Sequence, residues 1–260
     1  MRYFFIIAFL SLFSVTSLAG QASQAEQQSQ FSSEQVIAFA KQVEYQAAEQ
    51  GARAFIIARV GQSAESLPDG IAFTHTAVAI YSQLTLADGE VVNGYQIYNL
   101  YQKATNPAKS HLVNDFPVDF FWGAAELKAG ILIPIPALQQ RLIELVASGQ
   151  HQSLHNENYS IIANPFNDKY QNCTEFTLDM INASIYQTLN VKQLKVNAKK
   201  YFKPQRVKVS RFKLAMGNLF VDHISTDDHS KRQIYTTSFG SIKRYLDDND
   251  LLSQSLIING

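Results

Sequence analysis

The chain has 260 residues, 46% of them hydrophobic, with 22 basic and 22 acidic side chains. That length and apolar content can build one large core or two small ones, and the balanced charge excludes a global field that would draw the protein to nucleic acid. Its single cysteine, Cys173, excludes an internal disulfide, so the thiol is either buried and inert or exposed and used.

Met1 and Arg2 precede an uncharged run over residues 3–18, which ends in Ser17-Leu18-Ala19. A short positive start, an apolar core and small residues at the cleavage position are the parts of a secretory signal, expected here to be cut after Ala19. The run is too short for a membrane anchor, and Gln21 rather than cysteine follows Gly20, which argues against lipid attachment. A periplasmic or secreted protein is therefore expected. Residues 20–31, rich in Gln, Ser and Ala, read as a disordered tether. A helix follows over residues 33–50, with Val36, Phe39, Ala40, Val43 and Ala47 on one face and Gly51 as its stop.

Apolar runs over 54–60, 72–84 and 95–101, the last two separated by the turn Ala87-Asp88-Gly89, read as a meander of mostly antiparallel strands. A further strand is expected over 130–135, where Pro134 favours an edge position. Pro136 then opens a helix that Gly149 closes. Residues 159–163 can form a strand that Asn164-Pro165 breaks. A helix runs from Cys173 to about residue 189, burying Phe176, Met180 and Ile181. From Lys192 to Lys213 the chain is basic, including Lys195, Lys199, Lys200, Lys203, Arg206, Lys208 and Arg211, and it turns acidic over 222–229. Leu194, Ala198 and Tyr201 form one apolar side of a short helix in the basic stretch, which reads as a solvated face, with weak contact to an anionic membrane surface as the other reading. A last helix is expected over 241–252. Strands come first and the major helix later, which favours an α+β fold over a doubly wound parallel sheet. Residues 32–190 would form the main domain, and 191–260 a C-terminal extension packed on it.

Tyr170-Gln171-Asn172-Cys173-Thr174-Glu175 has the grammar of a helix start, with Asn172 as N-cap and Glu175 reaching back in a capping box. Cys173 then lies in the first turn, where free backbone N–H groups and the helix dipole favour a thiolate and can hold an oxyanion. A nucleophilic cysteine also needs a base and a group that orients it. His75 is the candidate base, in a strand that is otherwise apolar or β-branched, sharing a face with Ala77 and Ala79 that leaves room for a helix start to pack over it. Asn99, alone among the apolar residues of the next strand, is the candidate third member. His151 and His155, and the pairs Asp222-His223 and Asp228-His229, lack a spacing diagnostic of a metal site. No metal and no cofactor are expected.

These three segments, His75-Thr76-Ala77-Val78-Ala79-Ile80-Tyr81, Ile97-Tyr98-Asn99-Leu100 and Asn172-Cys173-Thr174-Glu175-Phe176, resemble the motifs of the circularly permuted NlpC-type, papain-like cysteine hydrolases, a branch with the lecithin-retinol acyltransferase relatives and YiiX-like proteins. The histidine-first order matches the permuted branch. The chain also looks like an uncharacterised group of exported bacterial proteins defined only as a domain of unknown function, from about Arg59 to the end of the Cys173 helix. The resemblance implies a papain-like antiparallel sheet carrying the cysteine helix. It also implies a set in which Cys173 attacks, His75 carries the proton, Asn99 orients it, and backbone near Asn172 and Gln171 supports the oxyanion. The acyltransferase relatives have a second histidine where Asn99 stands, so Gln102 or another polar group is the alternative for the third role. The expected activity is hydrolysis or acyl transfer at an amide or ester of a cell-wall peptide, a lipid or another small molecule, and the alternative is a non-catalytic exported binding or assembly protein that keeps the fold.

Overall fold

The computed structural model describes residues 29–61, 70–85, 88–207, 225–230 and 233–260. The expected export signal, most of the tether, and Lys208, Arg211, Lys213, Asp222 and His223 lie outside the described residues.

The strands β1 (Ala54–Val60), β2 (His75–Thr85), β3 (Val91–Lys103), β4 (Asn106–Asp115), β5 (Glu126–Pro134) and β8 (Leu252–Asn259) form one sheet in the order β4-β3-β2-β1-β5-β8. Every neighbouring pair in it is antiparallel. A small ribbon pairs β6 (Gln205–Arg206) with β7 (Tyr235–Thr236). The helices are α1 (Ser33–Glu49), α2 (Pro117–Trp122), α3 (Pro136–Ala147), α4 (Cys173–Tyr186), α5 (Val191–Tyr201) and α6 (Phe239–Asp247). Among the described residues, no helix is long and apolar enough to cross a membrane.

Both sheet faces are covered, which explains why β1 is buried at every position and is apolar throughout except for Arg59. Alternation sends successive side chains to opposite layers. Ile57, Ala77, Ala79, Ile97 and Ile131 pack with the apolar stripe of α1 and with Phe120 and Phe121 of α2. Ala58, Val78, Ile80, Leu100 and Leu132 pack against residues of α3, α4, α5 and α6, Phe176, Met180 and Ile181 among them. The α1 stripe begins at a capping box between Ser32 and Gln35, and the chain turns at Gly51, whose φ of +66° suits a residue without Cβ.

Several expectations are corrected. The strand carrying Pro134 is not an edge: the last residues return as β8 and pair with β5, where a helix had been expected up to Leu252. Pro134 is tolerated because it ends β5 at a register shift opposite Leu252, where a missing N–H breaks no regular ladder. Residues 159–163 form no strand, only a bridge from Tyr159 to Gln171. The Cys173 helix stops at Tyr186, because Gln187 takes a left-handed φ of 50°. Asn190 then caps α5 through the N–H of Gln193. β4 and α2 were not foreseen, and both contribute to the site.

Candidate functional site

One end of the sheet carries a polar row on the layer shared with α1 and α2. Arg59 pairs with His75 across β1 and β2, and Tyr101 pairs with His111 across β3 and β4. The His75 and Tyr101 rings bridge the two pairs by stacking at 4.8 Å with an interplanar angle of 8°. One step further into the sheet, Asn99 Oδ1 lies 3.0 Å from His75 Nε2. Asn99 Nδ2 donates to Asp115 Oδ2 at 2.8 Å, and the Tyr101 hydroxyl donates to the same oxygen at 2.6 Å. Because Asp115 claims the amide N–H of Asn99, its carbonyl oxygen must face the ring, and His75 Nε2 is the donor. The lone pair of His75 is then on Nδ1.

Burial, and secondarily the charge of Arg59, push His75 down to about 3, against the opposing effect of its hydrogen bond to Asn99. The imidazole is therefore neutral, and the same burial makes it a weak base in this closed state. Burial raises Asp115 to about 6, while its bond from Tyr101 works the other way. Asp115 had not been singled out in the sequence, where Val113-Asn114-Asp115 carries no pattern that marks a strand end.

Cys173 opens α4 as expected. Asn172 Oδ1 accepts from the Glu175 N–H at 2.9 Å, which satisfies one free donor of the first turn. The other half of the expected capping box is absent, because the Glu175 side chain turns to Lys195 instead. The thiol is 6% exposed. Its contacts run to Thr74 O at 4.0 Å and Thr174 Oγ1 at 3.7 Å, and a thiol–imidazole hydrogen bond is not formed. Burial pushes the thiol pKa up, outweighing the N–H groups of Thr76 and Thr174 and the charge of Arg59. The ring of His75 lies under Phe120 of α2 at 5.5 Å, whereas Thr177 of α4 bonds to Thr76 O from the opposite layer. Phe120 and Tyr101, not a helix start, thus cover the room beside Ala77. Thiol and imidazole nevertheless share one end of β2, since Sγ touches the carbonyl of the residue that precedes His75.

The side chains of Asn172 and Gln171 are already committed. Asn172 Nδ2 donates to Ile161 O and Thr236 Oγ1. Gln171 accepts from the Asn156 N–H and donates to Leu154 O and Asp179 Oδ2. An oxyanion donor at the helix start must come from backbone. Gln102, the other candidate for the third role, donates to Pro107 O and is not bonded to His75.

Lys195 corrects the reading of the basic stretch as a solvated face. It is 6% exposed, and its ammonium donates to Glu175 and to both oxygens of Asp179. Leu194 and Ala198 are buried in the core, whereas Tyr201 is 46% exposed. The apolar side of α5 is thus spent mainly inside the protein, and among the described residues of the stretch Lys192, Lys199, Lys200, Lys203 and Arg206 are the exposed charges.

His151 packs edge-on against Tyr98, His155 bonds to the Ser110 hydroxyl, and His229 bonds to Ile162 O. Among the described residues, no group of three or more His, Cys, Asp or Glu is arranged to hold a metal ion. A cleft of about 810 Å³ runs beside β4, lined by Ser110, Leu112, Asn114, His151, Gln152 and His155 among others.

The molecule is thus a mixed α+β protein whose six-stranded antiparallel sheet carries a His-Asn-Asp chain at the end where a cysteine-bearing helix begins. Over residues 46–246 it matches the model of a family described as an uncharacterized protein conserved in bacteria (DUF2145), and the chain belongs to that family. The match extends through α5 and almost to the end of α6, well beyond the Cys173 helix. No curated protein and no solved structure matches the chain.

Proposed function

We propose that the protein is an exported thiol hydrolase or acyltransferase, built on a permuted papain-like, NlpC-type arrangement of helix and sheet, that acts on an amide or ester bond. The observation that carries this reading is the His75–Asn99–Asp115 chain, which leaves a neutral imidazole beside the residue whose carbonyl touches the Cys173 thiol. In the reaction Cys173 Sγ attacks the substrate carbonyl carbon as His75 Nδ1 takes the thiol proton. The leaving amine or alcohol recovers that proton as the tetrahedral intermediate collapses to a thioester, and water or a second acceptor releases the acyl group. Asn99, fixed by Asp115, keeps the ring in the tautomer with Nδ1 free. The ring lies in the layer of α1 and α2 and α4 lies in the opposite one, so thiol and imidazole must meet around the end of β2 for the proton to move. The cleft beside β4 has the volume of a small-ligand site, but Cys173, His75 and Asn99 are not in its lining, and it stands apart from this reading. Cell-wall peptide amides and lipid esters are the substrate classes that an exported enzyme of this kind meets.

The test is turnover of peptidoglycan fragments and lipid esters by wild type, Cys173→Ala and His75→Ala. Activity in wild type and its loss in both variants supports the reading. A second reading, a non-catalytic exported binding protein, is favoured by the burial and raised pKa of the thiol. Alkylation of Cys173 that follows an ordinary thiol pKa near about 8.5 and ignores His75→Ala would establish it over the first.

A further inference from the structure

Arg59 is the group at this end of the sheet that the reaction above leaves unused. It stands next to last in an otherwise apolar strand and is 2% exposed. A guanidinium cannot shed its proton at any accessible pH, so it stays charged even when buried. Yet its Nε and Nη1 are buried without a hydrogen-bond partner, and it makes no ion pair with an acid among the described residues. Asp115, the nearest candidate, already accepts from Asn99 and Tyr101. Leaving part of a buried charge unpaired is costly, so an arginine kept this way calls for a further partner.

The surroundings indicate where that partner sits. The guanidinium carbon lies 5.4 Å from the centre of the Phe120 ring, a cation–π contact that offsets part of its lost solvation. Gly61 puts no side chain over Nη1; a Cβ there would lie 3.9 Å from that nitrogen. The ionisable groups that feel its charge are Tyr101, whose hydroxyl is also a hydrogen-bond partner of the guanidinium, Cys173, Asp115 and His75, which places it at the same end of the sheet as the thiol. A site with one fixed cation, flanked by aromatic rings, matches an anion of single charge. A carboxylate fits that description; a phosphate dianion would need more donors than the site offers.

We propose that Arg59, through its unpaired N–H groups, binds a substrate carboxylate next to Cys173, so that the acyl compounds this site takes are acids with a free carboxylate close to the bond that is attacked. This rests on the thiol-hydrolase reading and narrows it: neutral lipid esters are disfavoured, and peptides or amides that carry a carboxylate beside the scissile carbonyl are preferred.

The probe is the thiol itself, which needs no known substrate. Iodoacetate and iodoacetamide both alkylate Cys173 by displacing iodide, but only the first carries a carboxylate. The ratio of their rates on the folded wild-type protein should exceed the ratio for N-acetylcysteine, at the same pH and ionic strength, by about tenfold. Arg59→Gln should bring the ratio back to that of the free thiol, and Arg59→Lys should restore part of it. Acetate should slow the labelling more than inorganic phosphate does. A wild-type ratio equal to that of the free thiol overturns the proposal without recourse to a variant. Equal slowing of both reagents in Arg59→Gln overturns it too, since the arginine would then act only on thiol ionisation. Stronger protection by phosphate overturns the carboxylate assignment, and absence of labelling in the folded protein overturns the site. Rapid labelling by iodoacetamide that depends on His75 would leave the hydrolase reading standing in the first three cases.

Discussion

Two clusters of buried polar groups flank the start of α4, and they are finished to different degrees. Between α4 and α5, the Lys195 ammonium donates to Glu175 Oε1 and to both oxygens of Asp179, and Gln171 adds a further donor to Asp179. Only Glu175 Oε2 is left without a partner there. At the end of the sheet, the His75–Asn99–Asp115 chain is equally well bonded, but Arg59 beside it keeps two unpaired nitrogens. The first cluster links one helix to the next, pairs its cation with two carboxylates and leaves one carboxylate oxygen over. The second holds its ring rigidly and leaves a cation open. Buried polarity that completes itself serves the fold, and buried polarity with loose ends is available to a ligand.

The largest expected difference between them is in stability. Lys195→Ala strips the counterion from two buried carboxylates and should cost about 3–5 kcal/mol, read as a shift in the urea unfolding midpoint. Arg59→Met removes a cation that has no ion pair and refills its volume, so it should cost less than about 1 kcal/mol or even stabilise. Equal losses in the two variants would break the comparison, because Arg59 would then be as structural as Lys195.

The dependence on pH sharpens the same contrast. His75 has a folded-state pKa of about 3 against an ordinary 6.5, so the unfolded chain binds its proton more readily. Its contribution is intact above about pH 6.5 and is lost as pH falls from there towards 3. Glu175 is raised from 4.5 to about 8, chiefly by burial, and its carboxyl binds a proton more readily when folded. The stability it confers is present below about pH 4.5 and is lost as pH rises to 8. Asp115, raised from 3.8 to about 6, adds to the loss on the rising side. Unfolding free energy measured from pH 3 to 9 should therefore peak on the acid side of neutrality. His75→Gln should flatten the acid limb and Glu175→Gln the alkaline one. An acid limb unchanged by His75→Gln would show that another group is responsible for it.

The residues of this candidate site were legible where a polar residue interrupts an apolar strand or a helix start carries its own cap. His75, Asn99 and the Asn172-Cys173 step stood out for that reason, and so did their antiparallel strands. Asp115 and Arg59 did not. β4 is mostly exposed or half-buried and lacks the apolar signature of a strand, and the six residues of α2 are too few for a helical period. Arg59, near the end of its strand, looks in sequence like a charge reaching for water. Lys195 likewise merges with its lysine-rich neighbours, because its partners Glu175 and Asp179 lie a helix away. β8 was not foreseen, because Ser253, Gln254 and Ser255 interrupt any apolar strand pattern and its pairing with β5 is a long-range event that no local pattern announces.

The smallest effect concerns the one device that both clusters lean on, the Asn172 cap between Gln171 and Cys173. Its Oδ1 serves the helix through the Glu175 N–H, while its Nδ2 serves the loop through Ile161 O and Thr236 Oγ1. Asn172→Ser keeps an N-cap acceptor and gives up the loop contacts, whereas Asn172→Ala gives up both. The two variants should therefore differ from each other by about 1 kcal/mol in unfolding free energy. The cap places the first turn that carries both Cys173 and Glu175, so Asn172→Ala should also blur the alkaline limb assigned to Glu175 and slow the alkylation of Cys173, each by a modest factor. A change in only one of those readouts would mean that the two clusters do not share this turn as a common support, and that the thiol is positioned from the sheet through Thr74 rather than from the helix.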